Sequence, residues 1–353
     1  MSQGKQQSAP EAPADIDALA LQAEADQDIA IERKANGKPE KPAHALASML
    51  GPAFVAAVAY VDPGNVAANL TSGAKYGYLL VWVLVVANCM SVLIQYQAAK
   101  LGIVTGKSLP QILGQRMGTA GRFLFLMQAE VIAIATDLAE VIGGAIALNL
   151  LFGVPLLVGG CIIGAVSTVL LLFQGGETHK IFERLVIGLL LVITFGFIAG
   201  LFIDPPNPLA VAEGLIPRFT DGSSVLMATS MLGATVMPHV IYLHSTLVND
   251  HFGAGTDRPS VREMMHGSRI DVVWALAIAG TVNIALLVLA ANSLYGMTGT
   301  NTIEGAQHAI AQVLGPVVGT IFSIGLLASS LSSTSVGTYA GSEIMKGLLR
   351  VDV

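Results

Sequence analysis

The sequence predicts an all-α, polytopic membrane protein, and three observations carry that prediction. Mean hydropathy is +0.68, with 53% hydrophobic and 12% charged residues, far from the roughly 25% charged of a soluble domain. Eight apolar segments, at about 46–72, 78–99, 121–151, 154–173, 185–203, 224–248, 271–292 and 314–343, each come near the 20 or so residues with which a helix crosses a bilayer. With eight crossings and a cytoplasmic N-terminus, every Lys and Arg among the 18 except Lys75 and Arg218 falls inside, as the positive-inside rule requires. Short alternating strands are absent, which argues against an outer-membrane barrel.

Residues 1–45 are polar and rich in Ala, Gln, Asp and Lys, without a signal-peptide core, and they read as a disordered cytoplasmic tail. Residues 46–353 read as the transmembrane domain. Cys89 and Cys161 lie inside apolar segments as small fillers and imply nothing about redox compartment. The net charge of −6 is divided between two faces and says little about partners.

The first segment carries VAYVDPGNVAANL, residues 58–70, in which Asp62-Pro63-Gly64-Asn65 interrupts a helix in mid-membrane. The third, QAEVIAIATDLAEVIGG, carries Glu130, Asp137 and Glu140. Glu130 and Asp137 are two turns apart on nearly one face, and Glu140 lies one turn further. A charged group at this depth costs several kcal/mol, so each carboxylate is a functional candidate. The sixth segment, SMLGATVMPHVIYLHS, repeats the interruption at Met237-Pro238-His239. Proline removes a backbone donor there and frees carbonyls near Ala234 and Thr235.

Asp62 and Met237 are 175 positions apart, in the first and sixth segments. Such spacing is the signature of two five-helix inverted repeats with substrate held between the broken helices. The first repeat runs over about 46–203 and an incomplete second over about 224–353, truncated after helix 8. On this reading the break unwinds Asp62 to Asn65, turning backbone carbonyls and two oxygen-bearing side chains toward a cation. Oxygen alone would suit Na⁺, Mg²⁺ or Ca²⁺; a thioether from Met237 would favour first-row transition metals. The acidic residues of the third helix and His239 supply titratable groups for a proton relay.

With these residues in view, the chain resembles the Nramp family of proton-coupled divalent-metal transporters. The resemblance rests on DPGN at 62–65, MPHVIYLHS at 237–245 and ATDLAEVIGGA at 135–145, and runs from about residue 46 onward. It implies Asp62, Asn65 and Met237 as side-chain metal ligands, with the carbonyls of Ala59 and Ala234 contributing. It also implies a proton route through Asp62, Asp137, Glu140 and His239, with Glu130 a weaker member. The chain departs from the family where it ends before helices nine and ten, and at Val240, where many members have Asn.

The expected function is import of Mn²⁺ or Fe²⁺ coupled to protons by alternating access, across the cell (inner) membrane, with the metal as substrate and no cofactor. The alternatives are a Mg²⁺ or amino-acid carrier of the same architecture, and a channel or non-transporting membrane protein. Asp62 would repel an amino acid's carboxylate, and Met237 argues against Mg²⁺. An enzyme is not expected: His239 and His244 stand five residues apart and do not share a helix face. Nor is nucleic-acid binding, since topology already explains the basic loops. The oligomeric state is left open.

Overall fold

Proline and glycine punctuate the apolar segments, and many of the helices begin or end at them. In the computed structural model, which describes residues 50–172, 179–253 and 259–350, there are helices and turns but no strands among the described residues. The expected tail at 1–45 lies outside them. In chain order the helices are α1 (Pro52–Ala59), α2 (Pro63–Tyr76), α3 (Val81–Thr105), α4 (Leu109–Arg116), α5 (Thr119–Phe152) and α6 (Leu156–Leu171). There follow α7 (His179–Ile203), α8 (Pro208–Glu213), α9 (Gly222–Thr235), α10 (Pro238–Phe252), α11 (Val261–Ser293), α12 (Ile303–Leu314) and α13 (Pro316–Leu349).

Six helical stretches among the described residues are long and apolar enough to cross a membrane: 63–105, 119–152, 181–203, 222–252, 261–293 and 316–349. The first of these holds two expected segments, because Gly77 closes α2 at φ 60° before a 3₁₀ turn leads into α3. The fourth expected segment is α6, an apolar helix of only 16 residues. The surface is inverted relative to a soluble protein: Leu93, Val131, Leu138, Leu157 and Phe195 are exposed, whereas Asn65, Glu140, Asn283 and a run of serines are buried. Apolar side chains facing outward cost nothing in lipid, and polar groups must find partners inside.

Helices α11 and α13 form the centre, each 67% buried along its apolar stretch, against 33% for the peripheral α7. Small residues allow this closeness, as is usual between membrane helices. A β-carbon at Gly73 would collide with the carbonyl oxygen of Leu287, so α2 lies directly on the backbone of α11.

The short α1 is almost wholly buried. Its N-cap, Gly51, has no side chain to satisfy the first amides, and the acceptor comes from elsewhere: Asp271 of α11 accepts from Gly51 N at 3.1 Å and Ala53 N at 2.8 Å. Asp271→Ala would leave two buried N–H groups unpaired, at about 1–3 kcal/mol each. We therefore expect a clearly lower melting temperature in detergent for Asp271→Ala, and an unchanged melt would show that α1 is held by other contacts.

Candidate metal site between two helix breaks

Both breaks follow one local rule. Asp62 is the N-cap of α2, in extended conformation, with Pro63 in the first turn. Met237 is the N-cap of α10, also extended, with Pro238 in the first turn. Proline suits the first helical position because its missing N–H would have no partner there, and its fixed φ is already helical. This corrects one expectation. The sequence reading unwinds Asp62 to Asn65, but the non-helical residues are Tyr60, Val61 and Asp62, and Pro63-Gly64-Asn65 form the first turn of α2. Aspartate before proline is a start signal for a helix more than a breaker.

Three carbonyls at the breaks take partners from distant elements, beside the local turns that hold Ala57 O, Val58 O and Leu232 O. Asn283 Nδ2 of α11 donates to Tyr60 O at 2.7 Å, and the Ser329 hydroxyl of α13 donates to Val61 O. At the second break Asn65 Nδ2 donates to Ala234 O at 2.9 Å. This is the accounting that a membrane interior enforces, since no bulk water is available there.

Asp62 is 2% exposed and Asn65 is fully buried. Asp62 accepts from Gly64 N at 3.1 Å, Asn65 N at 2.9 Å and Asn65 Nδ2 at 2.6 Å. Among the described residues no Lys or Arg bonds it, and its recorded partners are amide dipoles of Gly64 and Asn65. A cavity of about 190 Å³ lies beside it, lined by Asp62, Ala234, Met237 and His239 among others. A second cavity of about 120 Å³ shares Ile132, Pro238 and His239 with the first and continues past Phe125, Gln128 and Tyr242 toward the N-terminal end of α5. Neither ring nitrogen of His239 has a hydrogen-bond partner among the described residues.

The structure thus brings Asp62, Asn65, Ala234, Met237 and His239 together. Ala59, the last residue of α1, is buried but does not line the cavity. The acidic residues of α5 sit to one side: Ile132, Thr136 and Ala139 face the cavity from that helix, whereas Asp137 and Glu140 turn toward α13. There a β-carbon at Gly337 would press on the Asp137 carboxylate and stand 3.3 Å from Glu140 Oε2. Glu140 is fully buried beside Ser333 of α13, and Asp62 and Asp137 are its electrostatic neighbours. Glu130 is half-buried further toward the start of α5.

Several participants escape a reading of the sequence. Asn283 is a lone amide inside an apolar run, and Thr235 bonds both Asn65 Oδ1 at 3.1 Å and Met231 O at 2.8 Å. Gln95 joins the Tyr60 hydroxyl at 2.8 Å and His244 Nδ1 at 2.8 Å, tying α3 to both broken helices. The one available signal is polarity at membrane depth, strongest in the ASSLSSTS stretch of α13 that supplies Ser329.

Among the described residues no three His, Cys, Asp or Glu side chains are grouped as metal ligands. One carboxylate with an amide, a carbonyl and a thioether is a sparse donor set, suited to an ion that must leave again. The family model described as "Natural resistance-associated macrophage protein-like" (Nramp) matches residues 53–353. The chain belongs to the Nramp family. This Nramp protein is 53% identical over 305 residues to the divalent metal cation transporter MntH of Mycobacterium tuberculosis, covering 86% of this chain and 71% of the relative. It is 42% identical over 309 residues to MntH of Aeromonas hydrophila, covering 87% and 75%. Among solved structures, the manganese transporter of Eremococcus coleocola matches with a TM-score of 0.79 at 32% identity, covering 90% of this Nramp chain and 69% of that one. The relatives are transporters, and the family is not one of enzymes.

Proposed function

We propose that this Nramp protein imports divalent transition-metal ions, Mn²⁺ and Fe²⁺, together with protons, by alternating access. The observation that carries this is the convergence of Asp62, Asn65, the Ala234 carbonyl and Met237 beside one cavity, where two helices break. The metal is cargo and not a cofactor. The printed names of the relatives, a divalent metal cation transporter and a manganese transporter, support the same cargo class.

Within this reading Asp62 and Asn65 supply oxygens, Met237 supplies sulfur, and the carbonyls of Ala234 and Ala59 contribute as the half-helices move. The thioether favours Mn²⁺ and Fe²⁺ over Mg²⁺, which prefers oxygen alone. The proton route runs from Asp62 through Glu140 and Asp137, with His239 at the junction of the two cavities and Glu130 toward the N-terminal end of α5. The basic loops put that end on the cytoplasmic side, with the N-terminus inside and the protein in the cell (inner) membrane. The paired Asp-Pro and Met-Pro starts, 175 residues apart, support two inverted repeats, about 46–203 and from about 224 onward.

The test is Mn²⁺ uptake by proteoliposomes holding this chain, under an inward proton gradient and with excess Mg²⁺ outside. Uptake that survives Mg²⁺ and collapses with the gradient is the expected result; Mg²⁺ uptake of equal rate would refute the metal selectivity. In the same assay Asp137→Asn should leave metal movement but remove its dependence on the pH gradient. A proton flux equal to that of the parent would take Asp137 out of the route.

A further inference from the structure

In the structure the Asn65 amide points the wrong way for a cation. Its Nδ2 donates to Asp62 Oδ1 at 2.6 Å and to Ala234 O at 2.9 Å, while Oδ1 faces the Thr235 hydroxyl at 3.1 Å. An ion entering beside Asp62 and Ala234 would therefore meet N–H protons where it needs an oxygen. A half-turn of the amide exchanges nitrogen and oxygen with almost no change of shape. Three oxygens would then converge at separations of 2.6 and 2.9 Å, close to the roughly 3 Å between neighbouring oxygens that each stand about 2.1 Å from one ion. Without a cation among them these oxygens would repel, so the turned amide is favoured only with an ion at their centre.

The half-turn also swings Nδ2 to the opposite side, against Thr235. That residue is 2% exposed, so a buried N–H arrives there and needs an acceptor. The Thr235 hydroxyl has a single proton and two acceptors in reach, Asn65 Oδ1 at 3.1 Å and Met231 O at 2.8 Å. When the proton goes to Asn65, the hydroxyl supports the amide in its observed orientation. When it goes to Met231, the hydroxyl lone pairs are free to accept from the turned amide.

We propose that Thr235 is a positioning residue for metal capture, donor to Asn65 in the observed orientation and acceptor from it when a metal is bound. The proposal rests on the metal site described above and adds the device by which its amide changes sides. Valine has the same shape as threonine but can do neither. Its absent acceptor hurts the loaded state more, because an orphaned buried N–H is less tolerated than an under-used carbonyl.

The experiment is calorimetric Mn²⁺ binding to the purified full chain in detergent, for the parent, Thr235→Val, Thr235→Ser and Asp62→Ala, with thermal melts of each metal-free protein. Thr235→Val should weaken binding by roughly tenfold, the effect of one buried hydrogen bond lost from one state only, with its melt unchanged. Thr235→Ser should bind as the parent does. Parent-like binding by Thr235→Val, with or without a lowered melt, would overturn the proposal and leave the hydroxyl a structural group. If Thr235→Val does not fold, the serine variant decides: parent affinity supports the proposal, and a roughly tenfold loss overturns it. Parent-like binding by Asp62→Ala would overturn the metal site itself, and the proposal with it, independently of Thr235.

Discussion

Asp62→Ala abolishes saturable Mn²⁺ uptake in proteoliposomes. Among the described residues Asp62 is the one carboxylate that lines the cavity between the breaks, and it is nearly fully buried. Removing one partner of a buried charge pair costs about 2–5 kcal/mol, a loss in affinity of roughly thirtyfold to several thousandfold. The alanine also removes the N-cap of α2, worth about 0.5–2 kcal/mol of stability, so a folding defect must be separated from a binding defect. Asp62→Asn does this: asparagine caps a helix as well as aspartate does, but carries no charge. We expect Asp62→Asn to melt like the parent and to transport no better than Asp62→Ala. Uptake above about a tenth of the parent rate in either variant would be too fast for a lost charged ligand and would remove Asp62 from the site.

In Met237→Ala, Mn²⁺ uptake persists but external Mg²⁺ and Ca²⁺ compete with it, which they do not in the parent. Met237 is 4% exposed and caps α10 at the lip of the cavity. A thioether gives little to hard cations and more to first-row transition metals, so its removal lowers discrimination more than it lowers transport. Truncating a buried Met also opens a void, at about 2–5 kcal/mol of stability. Met237→Leu keeps the volume without the sulfur, at a smaller expected cost, and should lose selectivity to the same degree. Unchanged Mg²⁺ competition in Met237→Leu would show that the pocket discriminates without sulfur.

The candidate site was partly legible in advance, and the boundary falls at a physical limit. Asp62, Pro63, Met237 and Pro238 act through their chain neighbours, because an N-cap and a first-turn proline need only the next three residues to take effect. Even here the position of the break differs from the expected one: Asp62-Pro63 starts a helix, and the non-helical residues are Tyr60 to Asp62. The α5 carboxylates were legible as anomalies in an apolar run, but their direction was not. One-face spacing along α5 does not say whether that face meets the cavity or α13, and it is Thr136 and Ala139 that face the cavity.

Composition, loop charge and the two proline-led restarts determined by themselves that the chain is a helical membrane protein with two broken helices. Those properties are sums over residues or effects within one turn, and they survive any arrangement of the helices around them. The tertiary structure alone decided which groups close the breaks. Tyr60 O is held by Asn283 and Ala234 O by Asn65, across sequence separations of 223 and 169, and α1 begins on the carboxylate of Asp271. Such pairings arise because backbone donors and acceptors left free at membrane depth must be matched inside the protein. Which distant residue provides the match is fixed only when α11 and α13 pack at the centre.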